Sequence, residues 1–496
     1  MRRLSALLDG LTMYRTVTLG LGLIALAAPV LAALGVLSLD PVAIAASLTV
    51  CVAACLLTGL TVPRLLGVRP HAESSVITGL LLGLVLWPAD TPAGFAGLVA
   101  VSVVATLSKY VLTLRGRHVL NPAALALVVA GLAGIATPAW WAGSAGLLPF
   151  VLVAGVLVVR RLRRYAFVGV YLLVGGGLNL ASSVAAGEAV PAAAWAVVAS
   201  SPVLFLAAFM LTEPLTTPPR RWQALTVAAV VGVLDGVAFS VGPLHSSPEL
   251  ALLAGNALAF VFGQRRGVRL RVLRREPVGA DTVELVLAPR APLAFRPGQY
   301  LELCLPHPRP DARGTRRMFS IVSPPARADE IAVAMRLPER PSSFKRAVAE
   351  LEPGRVLTAT GVHGDFTPPA DPDTPVLWVA GGIGITPFAS MAAAGAARDA
   401  VLAYRVPDAD DVPYAEVFEK AGTTVLLFAP APPAAPPRGW TYAGPEPTGD
   451  ALAEHVPDLA RRRAYVAGAP AMVADLVREL RRRGVRGVRT DAFSGY

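Results

Sequence analysis

Residues 376–389 read VLWVAGGIGITPFA, and the rest of the chain is organised around them. Val376, Leu377, Trp378, Val379 and Ala380 make an apolar run with the length and β-branching of a buried strand. Gly381, Gly382 and Gly384 follow, then Thr386 and Pro387. Thr can cap a helix through its hydroxyl, and Pro is pre-set for the first helical turn. The order predicts a strand, a tight glycine turn and a helix N-terminus, which lets backbone N–H groups approach a pyrophosphate. A glycine-rich turn alone serves a plain structural turn equally well.

The flanking motifs decide between these. Upstream lie RPGQY (296–300), RRMFSIVSPP (316–325) and GVHGDF (361–366); downstream lie YVAGAPAMV (465–473) and AFSGY (492–496). In this order, residues 267–496 resemble the ferredoxin–NADP reductase superfamily. The resemblance implies an antiparallel β-barrel FAD domain over 267–369 and an α/β NAD(P)H domain over 370–496. Alternation in RLRVL and TVELVL supports strands in the first.

The same resemblance assigns roles. Arg317 would offer a fork of donors to the FAD pyrophosphate, Phe319 a flat face to the isoalloxazine, and Ser320 a hydroxyl to flavin N5, the atom that takes the hydride. Ser342 and Ser343, ahead of the helical stretch KRAVAEL, would hold the same pyrophosphate. Gly381, Gly382, Gly384, Thr386 and Pro387 would line the nicotinamide-nucleotide phosphates. Gly468, Pro470 and Met472 match a Cys-Gly-x-Pro-x-Met pattern in which Ala467 stands where many relatives have Cys, so a thiol near the nicotinamide is missing. Phe493 or Tyr496 resembles a terminal aromatic that covers the flavin until nicotinamide displaces it. Nothing over 404–411 selects between NADH and NADPH.

Composition divides the chain in two. It has 496 residues, 54% hydrophobic, too apolar for one soluble globule and too long for one domain. Residues 1–266 carry 16 Lys+Arg against 8 Asp+Glu, and residues 267–496 carry 29 against 26. Only three of the basic residues are Lys, and arginine runs such as 461–463 read as solvated helix faces, with no nucleic-acid partner implied. Three cysteines cannot build an iron–sulfur cluster, which needs four thiolates or a mix with His. Cys51 and Cys55 read as small packing residues, and no metal-ligand set is apparent: His71, His118 and His245 show no ligand spacing, which disfavours a membrane haem chain.

Residues 1–266 read as a polytopic α-helical membrane domain. Apolar runs lie at 17–39, 41–62, 74–89, 94–114, 119–136, 146–159, 165–186, 190–212, 222–242 and 248–262, or about ten spans near the ~20 residues a bilayer needs. The first is longer than a signal-peptide core, so a retained span is expected. With a cytoplasmic N-terminus, Arg64, Arg69, Arg115, Arg117, Arg160, Arg161, Arg163, Arg164, Arg220, Arg221, Arg265 and Arg266 all fall inside. The outside loops hold Asp40, Asp90, Glu188, Glu249 and His245 but no Lys or Arg. That orientation puts the reductase half in the cytoplasm, close under the cell membrane.

A weak repeat relates HAESSVITGLLLG (71–83) to LTEPLTTPPRRW (211–222) and LNPAALAL (120–127) to GNALAF (255–260), consistent with an inverted 5+5 arrangement. LRGRHVLNPAALAL and FMLTEPLTTPP resemble a family of polytopic membrane proteins found in the sodium-translocating NADH:quinone reductase and in the Rnf electron-transport complex. That resemblance implies an FMN attached covalently to a Thr. Thr137 in GIATPAW stands at the attachment position, although Gly134 and Ile135 depart from the motif; the alternative is an ordinary Thr-Pro helix end. Asp235, deep in the ninth run, and Glu213, beside Pro214 at an expected helix break, are further candidates.

The expected function is a membrane-bound flavoprotein that carries electrons from NAD(P)H through FAD to membrane FMN, a quinone or a redox partner protein. Two alternatives stay open: a redox-regulated or redox-driven transporter, and a membrane-anchored reductase of a soluble ferredoxin or flavodoxin.

Overall fold

The computed structural model describes residues 13–66, 70–114, 117–162, 164–218, 220–242, 244–262, 267–308, 311, 315–435 and 439–493. The chain divides into two compact units, Leu11–Arg265 and Arg266–Tyr496.

The first unit is helical, and its helices fall on the apolar runs. Four of the described helices are long and apolar enough to cross a membrane: Met13–Ala33, Pro41–Leu65, Pro92–Val111 and Tyr165–Ala185. Val190–Ala199 and Val203–Met210, bent by 46°, make a fifth if counted together. Length and composition thus support four or five spans where hydropathy alone counts ten. The reason lies in the helix ends. Ala72–Val85 has 14 residues, a rise of about 21 Å against a hydrocarbon core of ~30 Å. The run continues past Val85 as extended chain, where Leu86 bridges Pro138 and the Trp87 N–H donates to the Thr137 carbonyl at 3.0 Å. Pro122–Ala133 is capped by Asn121 and ended by Gly134 at φ +62°. Hydropathy does not separate helical from extended apolar residues.

Two further expectations are corrected. Asp235 is the penultimate residue of Arg221–Gly236, not deep within a helix, because the backbone turns extended at Val237 and enters the Ser240–Val241/Leu244–His245 hairpin. Its partner is the Tyr171 hydroxyl, which donates to Asp235 Oδ2 at 2.6 Å. Glu249 is no loop residue: it is buried in the first turn of Pro248–Val261 and accepts from Trp140 Nε1 at 3.0 Å. Cys51 and Cys55 are fully buried packing residues, as expected.

The second unit holds two six-stranded sheets. In the first the strands are β1 Val268–Pro277, β2 Thr282–Pro289, β3 Tyr300–Cys304, β4 Arg316–Ser320, β5 Ile331–Arg336 and β6 Val356–Ala359. They pair antiparallel in the order β4-β3-β6-β1-β2-β5, and an Ile321–Val333 bridge joins the two edges into a barrel. Leu270, Leu285, Leu301, Ile331 and Phe344 fill its interior. In the second sheet the strands are β7 Val376–Gly381, β8 Ala400–Arg405, β9 Thr424–Phe428, β10 Trp440–Tyr442, β11 Arg463–Gly468 and β12 Val488–Ala492. All are parallel, in the order β10-β9-β8-β7-β11-β12. Connections leave β7 towards β8 on one side while β11 returns on the other. β7 and β11 therefore flank the topological switch point, where open parallel sheets bind ligands beyond their carboxyl ends.

Candidate functional site

The barrel side is built around β4. Its alternation turns Arg317 inward, where the side chain is 2% exposed. The guanidinium lies 5.0 Å over the Phe344 ring, and Nη2 lies 3.5 Å from Asp311 Oδ1. Asp311 Oδ2 accepts the Ser343 N–H at 3.1 Å, and the Asp311 N–H donates to Ser343 Oγ at 2.9 Å. Arg317 and the Ser343 amide therefore hold an anionic carboxylate, so these donors suit an anionic diphosphate. Ser342 caps the Ser343–Ala349 helix by accepting from the Lys345 N–H at 3.4 Å. That helix has only seven residues, so single N–H and hydroxyl donors count for more than a summed dipole. Phe319 is partly buried, 6.0 Å from the Phe344 ring, and Ser320 is buried opposite Tyr300.

RPGQY and GVHGDF, distant in sequence, interlock. Tyr300 and His363 exchange backbone hydrogen bonds at 2.9 and 2.8 Å, and Gln299 Nε2 donates to the Gly364 carbonyl at 2.9 Å. Gly298 sits at φ +84°, and a Cβ there would strike the Phe366 carbonyl oxygen. Only glycine allows that approach.

On the nucleotide side, strand, glycine turn and helix follow as expected: β7, a 3₁₀ turn over Gly382–Ile385, and the helix Thr386–Ala393. The cap differs. Thr386 is already helical, and its hydroxyl donates back to the Ile383 carbonyl at 3.0 Å instead of accepting an N–H. The 3₁₀ turn begins the helix one step earlier than the Thr-Pro signal suggests. Thr386 and Pro387 are buried, which leaves the glycines to meet a ligand. A Cβ on Gly384 would lie 2.6 Å from the Ala467 carbonyl carbon and 2.9 Å from Gly468 Cα. Gly382, at φ +52°, faces open space. Met472 packs on Gly381, and Gly468 closes the end of β11. The Phe493 N–H donates to the Gly468 carbonyl at 2.8 Å, so this aromatic is anchored beside the glycine turn. Tyr496 lies outside the described residues.

Barrel and nucleotide domain meet through polar and aromatic contacts. The Tyr414 hydroxyl donates to Glu284 Oε2 at 2.8 Å, and Ser390 Oγ to the Ser323 carbonyl at 2.8 Å. Burial raises the Glu284 carboxyl above its usual range, and the Tyr414 hydrogen bond opposes this only in part. Burial and the Glu284 charge push the Tyr414 phenol up as well. Phe366 packs edge-on against Phe388 and Tyr465 at 5.7 and 5.5 Å.

In the helical unit, the structure brings the repeat residues together. Asn121 donates its side-chain amide to Glu213 at 2.8 Å and its backbone N–H to Asn256 at 2.7 Å. Lys109 Nζ donates to the Ser74 carbonyl and hydroxyl at 2.9 and 3.0 Å. Lys109, Ser74, Asn121 and Glu213 line a cavity of ≈ 70 Å³ with Tyr14 and Phe209. Thr137 is exposed in an extended segment beyond Ala133, so it does not end a helix.

Sequence reasoning missed Asp311 and His307. Asp311 is the one acidic residue between Glu302 and Asp329, in a stretch rich in Arg and Pro directly before β4, and that isolation is a readable signal. His307 Nε2 lies 3.0 Å from Ser343 Oγ, a contact no spacing announces.

No protein-family model matches the chain. It is 31% identical over 237 residues to the reductase subunit of an aromatic O-demethylase from Amycolatopsis sp., covering 44% of this chain and 66% of that protein, just under two thirds of its length. It is 30% identical over 214 residues to ferredoxin–NADP reductase B of Sorangium cellulosum, covering 39% of this chain and 81% of that protein. A solved Amycolatopsis cytochrome P450 reductase is 26% identical, covers 46% of this chain and 70% of its own, and has a TM-score of 0.40. Through its carboxy-terminal unit, the chain belongs to the ferredoxin–NADP reductase family of FAD-dependent NAD(P)H oxidoreductases.

Proposed function

We propose that the chain is a membrane-bound oxidoreductase that draws electrons from NAD(P)H at its carboxy-terminal unit and delivers them to an acceptor at its helical unit. The observation that carries the reading is that one compact unit contains both an anion-holding Arg317–Ser343 pair and a glycine turn at a sheet switch point. FAD, when bound, supplies the conversion from a two-electron hydride to single electrons. Arg317 and the Ser343 amide would neutralise its diphosphate. Phe319 would lie against its ring, and Ser320 would offer a hydroxyl at the edge that takes hydride. Gly381, Gly382 and Gly384 would admit the nicotinamide-nucleotide phosphates to backbone N–H groups. Gly468 and Met472 border that turn, and Phe493 or Tyr496 would exclude water until nicotinamide arrives.

The membrane location, with the reductase unit in the cytoplasm, draws on the charge asymmetry of the connecting segments and on exposed apolar helix residues such as Leu26, Leu57, Leu173 and Val261. The shorter helices suit half-spans of an inverted repeat, and the Asn121–Asn256 hydrogen bond suits the repeat interface. The exposed Thr137 is open to a covalent FMN. The acceptor would be that FMN, a quinone or a redox partner protein. A second reading rests on the relatives, named for ferredoxin reduction and for an aromatic O-demethylase: there a soluble electron carrier would be the acceptor and the helices an anchor.

The test is anaerobic reduction of the detergent-purified full chain by NADH or NADPH, followed by mixing with a short-chain quinone or a ferredoxin. Bleaching of the flavin spectrum is expected, with faster reoxidation by the quinone. A spectrum unchanged by either nucleotide refutes the reading, and faster reoxidation by ferredoxin selects the second. Acid denaturation then separates released FAD from flavin retained on Thr137.

A further inference from the structure

We infer that Asp311 is a built-in competitor for the anionic group of the cofactor, holding the donors that a dinucleotide diphosphate needs. Three observations converge on this carboxylate. Oδ1 lies 3.5 Å from Nη2 of Arg317, whose side chain is 2% exposed. Oδ2 accepts the Ser343 N–H at 3.1 Å, and the Asp311 N–H returns a bond to Ser343 Oγ at 2.9 Å. Ser343 Oγ is in turn fixed by His307 Nε2 at 3.0 Å, whose Nδ1 is 2.8 Å from the Leu305 carbonyl. The carboxylate is thus held in register with the guanidinium and the amide.

A carboxylate and a diphosphate cannot both take these donors. Two anions within a few ångströms in a half-buried site repel strongly, and Arg317 has one guanidinium to share. Binding of the diphosphate must therefore expel Asp311. The free energy of the Asp311–Arg317 contact is subtracted from cofactor affinity, and the same contact steadies the chain without cofactor. That coupling is reciprocal. A buried arginine left without an anion is strongly destabilising, which gives a physical reason for an internal stand-in. The inference rests on assigning Arg317 and Ser343 to the FAD diphosphate.

The experiment uses the full chain stripped of flavin. FAD is titrated by quenching of its fluorescence, and the melting temperature of the stripped protein is recorded, for the parent, Asp311→Asn, Arg317→Ala and the double variant. Asp311→Asn should bind FAD at least tenfold more tightly and melt at a lower temperature when stripped. Arg317→Ala should bind FAD more weakly, and the gain from Asp311→Asn should vanish in the double variant. Inorganic pyrophosphate should raise the melting temperature of stripped Asp311→Asn more than that of the parent. Unchanged or weaker FAD binding by Asp311→Asn, with Arg317→Ala still impaired, overturns the inference and leaves the FAD assignment standing. Parental FAD affinity in Arg317→Ala overturns the assignment itself. Should Asp311→Asn fail to fold, Asp311→Ser removes the same charge with a smaller side chain and carries the same two outcomes.

Discussion

Gly384→Ala is the sharpest probe of the nucleotide site, because the consequence follows from position alone. Its Cβ would lie 2.6 Å from the Ala467 carbonyl carbon and 2.9 Å from Gly468 Cα, where ordinary contact begins at 3.4 Å. Both neighbours are backbone at the end of β11, so no flexible side chain can yield. The turn must retreat by close to 1 Å from the switch point. A misplacement of about 1 Å in a positioning element costs on the order of 10²-fold in rate, or about 2.7 kcal/mol. Gly382→Ala is the comparison: its Cβ meets nothing within 4 Å, and the φ of +52° carries only the left-handed penalty of about 1–2 kcal/mol. Steady-state NAD(P)H oxidation with ferricyanide should show kcat/KM falling roughly 10²-fold for Gly384→Ala and less for Gly382→Ala. FAD content should match the parent in both, because the barrel donors are untouched. If Gly384→Ala keeps the parental kcat/KM, or loses FAD as readily as nucleotide turnover, the glycine turn is not the nucleotide cradle.

Phe493→Ser and Tyr496→Ser test the covering aromatic: a ring stack is worth about 0.5–1.5 kcal/mol, so its loss should tighten binding of oxidised nucleotide by up to roughly tenfold. Titration in which neither variant binds more tightly than the parent removes that role. Glu284 gives a pH prediction. Burial raises its carboxyl above 4.5, so the folded chain holds the proton more tightly than the unfolded chain. Its stabilising contribution is then full below 4.5 and is lost as pH rises through the folded value. Glu284→Gln should flatten the fall in melting temperature above that range, and an unaltered pH profile would count against the buried carboxyl. For topology, a reporter fused after Gly187 should read as external and one after Arg164 as cytoplasmic; the reverse at either site overturns the proposed orientation.

By itself the sequence determined what depends on neighbours along the chain. The apolar run from Val376, the closely spaced glycines and Thr386-Pro387 specified a strand, a turn and a helix, because strand burial and turn chemistry are local. The RRMFS order placed Arg317 and Phe319 on one face of β4 and Ser320 on the other for the same reason. The apolar runs located the helices of the first unit, since burial and bilayer exposure draw on the same residues.

Tertiary structure decided what depends on partners brought from afar. Hydropathy cannot say where a helix stops, so Val85, Gly134 and Gly236 became ends only once capping, a left-handed turn and a hairpin were formed. Asn121 and Asn256 were legible as repeat positions, but their hydrogen bond needed segments 135 residues apart to meet, and the Lys109 and Glu213 cavity wall likewise joins distant segments. The glycine at 384 is required by the Ala467 carbonyl of another strand, which no local pattern contains. Asp311 looked like one acid in a basic loop until folding set it between Arg317 and Ser343, because electrostatic pairing is decided by distance in space and not by spacing along the chain.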